Sequence, residues 1–483
     1  MTEIYVGIGL YLAAMLVIGF IASKKVSTSG DFLVAGRSLP LWLTVGTLSA
    51  TWFGGGLVLG AAGTAFSEGF YGVIADPFGA ALCLLVSGLF FARMLRRMGV
   101  MTVVDVFDSR YDKKTGFLAA LGTILVYVGW TGALLVSFGF VLHTLTGIPT
   151  EWAIGIGSVI TLIYTMVGGM WAVAWTDFVQ IILVIAGLLF AFPILINEAG
   201  GVSAILERLP EDSFKMAPDS GNTTEWLFYI RSWLVIGLGN VAGQDLIQRC
   251  LAARDEKTAQ MGAYLSTGIY LTFGLIPICI GLIGTILMPD IANPEFIVPM
   301  LVMEYLPTIV VVIFISALLA AVMSSADSAI LATSSVIANN VVRYLKPEAH
   351  DQDILRWSRL SVPLVTVAAL VVALYFQNIY QLLIDAFSIA LVSLFAPLAA
   401  AIWWKKANAI GALSSMLVGL GCWLLLPLIT AAIPSDIFGL VAGTITLVIV
   451  SLATQGTHPA KPLRDASGVE LALENRLGIL RPF

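Results

Sequence analysis

Ser49-Ala50-Thr51-Trp52-Phe53-Gly54-Gly55-Gly56 sits in the middle of an apolar run covering residues 41–66. Serine, threonine and three successive glycines make poor helix. In a span with no water to satisfy its backbone, such a stretch can unwind and present free carbonyls and amides at mid-membrane. Gly237-Leu238-Gly239-Asn240-Val241-Ala242-Gly243-Gln244-Asp245 interrupts the run 225–250 in the same manner. With the first apolar run set aside, the two interrupted runs open two successive groups of five. Interrupted spans at corresponding positions of two halves mark an inverted repeat with a binding site at the bilayer midplane. Close helix packing also draws glycine and alanine. Polar residues beside the glycines in both runs favour the binding reading.

Working outward, apolar stretches fall near 4–22, 41–66, 69–94, 116–146, 151–168, 175–195, 225–250, 258–288, 308–342, 357–376, 378–403, 408–428 and 437–454. Each has roughly the length that crosses a bilayer, so an all-α integral membrane fold with about thirteen helices is expected. Composition agrees: 59% of the 483 residues are hydrophobic and 11% charged, with a mean hydropathy of +0.95. A soluble chain carries about 25% charged residues. Cys83, Cys250, Cys279 and Cys422 lie in apolar runs without metal or disulfide spacing, and His143, His350 and His458 are scattered. Neither pattern offers metal or triad chemistry, so an enzyme is not expected. Met1-Thr2-Glu3-Ile4 lacks the basic start of a cleavable signal, and the first run reads as a retained helix.

Basic residues set the expected orientation. Lys24, Lys25, Arg37, Arg93, Arg96, Arg97, Arg110, Lys113 and Lys114 fall in loops on one side, with Arg249, Arg254, Lys257, Arg343, Lys346, Arg356, Arg359, Lys405 and Lys406. The other side has Arg208 and Lys215, and Arg231 lies within a span. The positive-inside rule puts the N-terminus outside and the C-terminus in the cytoplasm of a plasma-membrane protein. One transmembrane domain over 1–455 is expected: an extra helix at 4–22, repeats at 41–195 and 225–403, peripheral helices at 408–454, then a tail at 456–483.

Aspartates at membrane depth are functional candidates because burial of charge is costly. Asp76, Asp177, Asp245, Asp327 and Asp385 qualify. Ser324, Asp327 and Ser328 share a helical face, and Ser325 turns toward the neighbouring side. A small hard cation takes hydroxyl, carboxylate and carbonyl oxygens, which a serine-rich face opposite an unwound helix supplies. Serines hydrogen-bonding between helices, with Asp327 hydrated near a mouth, is the competing reading from periodicity.

Gly168-Gly169 through Trp175-Thr176-Asp177-Phe178-Val179-Gln180, and Ala320-Ala321-Val322-Met323-Ser324-Ser325-Ala326-Asp327-Ser328, resemble the signatures of the sodium:solute symporter family. Ala50 to Gly56, Gly88 to Ala92, and Ala320 to Asn340 are most similar to its high-affinity choline branch. The resemblance covers nearly the whole chain. It implies a LeuT-type core of five plus five helices, alternating access, and Na+ as coupling ion with no other cofactor. It further implies a sodium site from the carbonyls of Ala50, Phe53 and Ala321 with the hydroxyls of Ser324 and Ser325. A second sodium site would use Asp177, Ser324, Asp327 and Ser328.

For the solute, the choline branch implies an aromatic cage holding a quaternary ammonium by cation–π attraction. Trp52 and Trp130 match two cage positions, while Ala80 and Gly243 stand at two others. Asp76, Gly243, Gln244 and Asp245 complete the expected substrate set, since a carboxylate can replace aromatic attraction for an amine. The expected partners are a small polar solute, Na+ and the bilayer, with no nucleic acid; oligomeric state is not legible. A proton-coupled or facilitative carrier of the same fold, and a transporter-like sensor, are the alternatives.

Overall fold

Polarity runs inside out in this chain. Leu10, Leu364 and Ile449 on peripheral helices are 68%, 65% and 61% exposed, whereas Ser324, Ser325 and Asp327 are fully buried. A surface dense in exposed apolar side chains over a core containing hydroxyls and carboxylates suits lipid as the solvent. The computed structural model describes residues 2–219 and 221–471; Met1, Ser220 and the 472–483 part of the expected tail lie outside the described residues.

The helices that position the site are α1 (Thr2–Ser23), the half-helices α2 (Leu41–Trp52) and α3 (Gly56–Gly72), α4 (Ile74–Met98), the short α5 (Val103–Arg110) and α6 (Lys113–Thr146). Then follow α7 (Thr150–Glu198), the half-helices α8 (Thr223–Gly239) and α9 (Gln244–Ala252), and α10 (Glu256–Leu287). The last are α11 (Thr308–Leu345), α12 (Asp351–Tyr375), α13 (Ile379–Trp403), α14 (Ala409–Leu428) and α15 (Ser435–Ala453). By length and apolarity ten helices among the described residues can cross a bilayer, or eleven when α2 and α3, bent by 48°, count as one span. The expected count of thirteen is therefore not reached on that measure, for two physical reasons. The stretch 151–168 gives only a short apolar helix, Thr150–Ile163, before α7 changes direction at Gly169, and the span proper is Gly169–Glu198. The stretch 225–250 is divided, and its second part, α9, is short and polar. Gly169 has φ +57°, and a Cβ there would collide with Phe32. Any side chain at that bend would be strained.

Polar side chains cap the helices where they begin. Thr102 and Asp105 form a capping box at α5, Asp112 accepts from the Thr115 N–H at α6, and Asp255 accepts from the Thr258 N–H at α10. Helix α11 packs on α6 and α7, while α2 packs on α7 and α10, so the first break faces the serine-rich helix.

The end carrying the basic loops is sealed. Asp105 accepts from Asn339 Nδ2 at 2.9 Å and Asn340 Nδ2 at 2.7 Å, tying α5 to the end of α11. The Val103 N–H donates to Gln244 Oε1 at 2.7 Å, tying α5 to α9. The opposite end holds a vestibule of about 450 Å³ lined by Glu68, Tyr71, Arg231, Glu295, Tyr380 and Gln381, among others.

Glu295, in the loop between α10 and α11, accepts from the Ile379 N–H at 2.9 Å and the Tyr380 N–H at 3.1 Å, capping α13. Burial raises its carboxyl to about 7, against the lowering effect of those amides. A carboxyl raised by folding contributes stability below its unfolded value of 4.5 and loses it as pH rises through about 7. Thermal stability is therefore expected to decline from about pH 5 to pH 8, by up to about 3 kcal/mol, and Glu295→Gln to flatten that decline. Superimposable pH–stability curves for the two proteins would refute the assignment.

Candidate functional site

Helix α2 ends at Phe53, whose N–H closes the last turn on Ser49 O at 3.1 Å and whose φ −76°, ψ 55° leaves the helical path. The carbonyls of a last turn have no following amide to accept from. Ser325 Oγ fills this gap, lying 2.7 Å from Thr51 O and 3.2 Å from Ala321 O. Contact this close requires glycine: a Cβ on Gly54 would strike Ser325, and one on Gly55 would strike Ser137. The glycine run thus unwinds the span and also admits two serines against its backbone.

The five residues expected around one sodium divide here. Ser325 faces the break beside Thr51, in the region of Ala50 and Phe53. Ser324, about 100° around the helix, donates to Asp177 Oδ1 at 2.5 Å on α7. Asp177 also accepts from Thr47 Oγ1 at 2.5 Å.

The residues expected at a second cation gather around an arginine. Asp177, Ser324, Asp327 and Ser328 do come together, but Arg249 stands among them, fully buried. Its Nη2 is 3.3 Å from Asp177 Oδ2 and donates to Ser328 Oγ; its Nε is 3.0 Å from Thr47 Oγ1 and its Nη1 is 3.0 Å from Asp245 O. Asp327 Oδ2 has no hydrogen-bond partner among the described residues. A guanidinium thus stands among the oxygens expected at a second sodium, in contact with Asp177 and Ser328. Reading Arg249 as part of a basic loop was wrong because α9 starts at mid-bundle. Arg249 is in its second turn and is still inside. The i, i+4 spacing of Asp245 and Arg249 was the available signal.

A cavity of about 30 Å³ lies beside the first break, lined by Trp52, Asp76, Ala80, Trp130, Asn240, Tyr270 and Phe387, with neighbouring backbone and aliphatic groups. That volume holds no more than a water or two, so the walls must part to admit a solute. Of the expected substrate residues, Trp52, Asp76 and Trp130 line this cavity. Gly243, Gln244 and Asp245 lie off the cavity wall. Gln244 faces α5, and Asp245 accepts from the Tyr127 hydroxyl. Gly243 adjoins Asn240, with no room for a Cβ.

Three lining groups escaped the sequence reading: Asn240, Tyr270 and Phe387. Tyr270 Oη donates to Asp76 Oδ1 at 2.7 Å and reaches Trp52 O at 3.0 Å. Trp130 lies 5.8 Å from Phe387, ring centre to ring centre, and Trp52 lies 6.2 Å from Tyr270. The Trp52 indole N–H and Asn240 Oδ1 are buried with no hydrogen-bond partner among the described residues. Four aromatic rings, one carboxylate and two unused polar atoms thus surround the space. Ala75, Val235 and Ile384 line the vestibule, while their chain neighbours Asp76, Ile236 and Leu383 line the cavity.

Two broken spans enclosing a polar, aromatic-lined cavity inside a lipid-facing helix bundle define a membrane transporter. Residues 32–419 match the sodium:solute symporter family, and the chain belongs to it. It is 31% identical to high-affinity choline transporter 1 of Torpedo marmorata over 86% of this chain and 75% of that one. It is 27% identical to the sodium/pantothenate symporter of Haemophilus influenzae, covering 90% and 95%. The structure superimposes on a Na+-coupled sialic acid symporter with a TM-score of 0.80 at 20% identity, covering 95% and 98% of the two chains. It also superimposes on MhsT with a TM-score of 0.50 at 13% identity, covering 85% and 98%. The protein is thus a multi-pass, sodium-coupled symporter of the LeuT-type fold and not an enzyme.

Proposed function

We propose that this symporter imports a small cationic amine of the quaternary or methylated ammonium type. The supporting observation is Asp76, set among Trp52, Trp130, Tyr270 and Phe387. Aromatic faces attract a desolvated ammonium, and the carboxylate balances its charge. Tyr270 and Phe387 stand in for the cage positions lost at Ala80 and Gly243. Likeness to a choline transporter agrees with this solute class, while likeness to a pantothenate symporter keeps a carboxylate solute as the outcome to exclude.

Sodium would bind where Ser325 Oγ now bridges the carbonyls of Thr51 and Ala321, close to Ala50, Phe53 and Ser324. The ion would take the carbonyls and the hydroxyl oxygen as ligands, the hydroxyl turning but keeping its proton, and draw the α2 break onto α11, shaping the cavity wall at Trp52. Thirteen spans, the N-terminus outside and the basic end in the cytoplasm complete the proposal, with repeats at 41–195 and 225–403. In that orientation the vestibule is extracellular, and the Asp105–Asn339–Asn340 seal must open for inward release. One charge crossing ~100 mV contributes about 2.3 kcal/mol and a tenfold sodium ratio about 1.4 kcal/mol. The sodium ion alone thus supports solute accumulation of several hundredfold, and the amine's own charge adds about 2.3 kcal/mol to the driving force.

Uptake into proteoliposomes tests the reading, using choline, betaine, proline, a cationic amine, a monocarboxylate and a sugar, with an inward sodium gradient or with potassium in its place. Sodium-dependent accumulation of choline or the cationic amine is the expected result. Accumulation of the monocarboxylate instead would overturn the amine assignment. Equal uptake with either cation would overturn the proposed sodium site.

A further inference from the structure

We propose that Arg249 is the resident second cation of this symporter, a tethered guanidinium that takes the place of a second sodium and limits coupling to one ion. The inference rests on the sodium site proposed at Ser325 but concerns a separate group of atoms. The observations are geometric. Arg249 is fully buried and pairs with Asp177 Oδ2 at 3.3 Å. It donates to Ser328, meets Thr47 Oγ1 at 3.0 Å and reaches Asp245 O at 3.0 Å. These contacts use all three of its nitrogens, and they engage two of the side chains a second sodium would require, Asp177 and Ser328. A sodium entering the same pocket would face the guanidinium at contact range and lose affinity on the order of a thousandfold.

Arginine suits this role because it stays charged when buried and its planar fork holds several acceptors at once. Arg249 belongs to α9, the half-helix beyond the second break, while Asp177 belongs to α7 and Ser328 to α11. Arg249 therefore links α9 to both α7 and α11.

Removing the charge should recreate a cation site. With glutamine at 249, Asp177 and Asp327 would face the hydroxyls of Ser324 and Ser328 with no positive charge among them. Asp327 Oδ2, already without a partner among the described residues, would supply a free carboxylate oxygen.

Equilibrium binding of radioactive sodium to the purified full-length protein tests this. The wild type is expected to bind one sodium per chain, lost in Ser325→Ala and kept in Ser328→Ala. Arg249→Gln should bind two, and its thermal unfolding should shift upward with sodium but not with potassium; Arg249→Lys should bind one. Two sodium ions in the wild type, one of them lost in Ser328→Ala, would overturn the proposal, and that count decides the matter even if Arg249→Gln does not fold. No sodium in the wild type but one in Arg249→Gln would overturn the Ser325 site while upholding the role of Arg249. One sodium in both proteins would overturn the resident-cation role.

Discussion

Sodium affinity is expected to fall at least tenfold in Ser325→Ala, measured as the sodium concentration that half-saturates uptake. The substitution removes one hydroxyl and adds no volume. Its structural cost is one hydrogen bond, net about 1 kcal/mol, so expression and thermal stability should stay near wild type. The functional cost is larger, because Ser325 Oγ is the side-chain oxygen placed between Thr51 O and Ala321 O. Without it, a cation at the break has backbone carbonyls alone to replace its water. A neighbouring substitution separates the two serines. Ser324→Ala should disturb Asp177 and leave the Thr51 contact intact, since Ser324 donates to Asp177 Oδ1. Unchanged sodium dependence in Ser325→Ala would show that the coupling ion binds elsewhere.

Loss of amine uptake in Asp76→Asn should be larger still, at least a hundredfold in the ratio of rate to KM. Asparagine keeps the shape and can still accept from Tyr270 Oη, now 2.7 Å from Asp76 Oδ1. What disappears is the negative charge. Opposite charges about 4 Å apart at an effective dielectric near 20 interact by about 4 kcal/mol, and partial screening still leaves a hundredfold or more. Tyr270→Phe keeps the ring and removes the hydroxyl that orients Asp76, so a smaller loss is expected, about tenfold. An Asp76→Asn protein with wild-type KM for its amine would remove the carboxylate from the substrate site. It would leave the aromatic rings as the only attraction.

Sequence alone located the features set by short-range chemistry. The interrupted runs at 49–56 and 237–245 were legible because glycine and polar residues disfavour helix wherever they occur. Helical periodicity placed Ser324, Asp327 and Ser328 on one face for the same local reason. Residues 168–180 and 320–328 carried the family, and Trp52, Asp76 and Trp130 were assigned to the cavity from their places in that frame. Lipid exposure followed from composition, since too few charged residues exist to cover a water-facing surface.

Tertiary structure decided the rest, because the remaining contacts join residues far apart in the chain. Tyr270 reaches Asp76 across 194 positions, and no pattern within one helix records that meeting. Asn240 and Phe387 entered the cavity through the crossing of α8 and α13. Arg249 is the clearest case. Its charge and its place after an apolar run both read as a loop residue, but the break at Gly243 starts a new half-helix deep in the bundle. Two turns of helix rise only about 11 Å, too short to carry Arg249 out to water. Once held inside, the guanidinium needed an anion, and packing of α7 and α11 supplied Asp177 and Ser328. The sequence by itself marked hydroxyls and carboxylates on these helices; where the chain packed determined that Arg249 meets them.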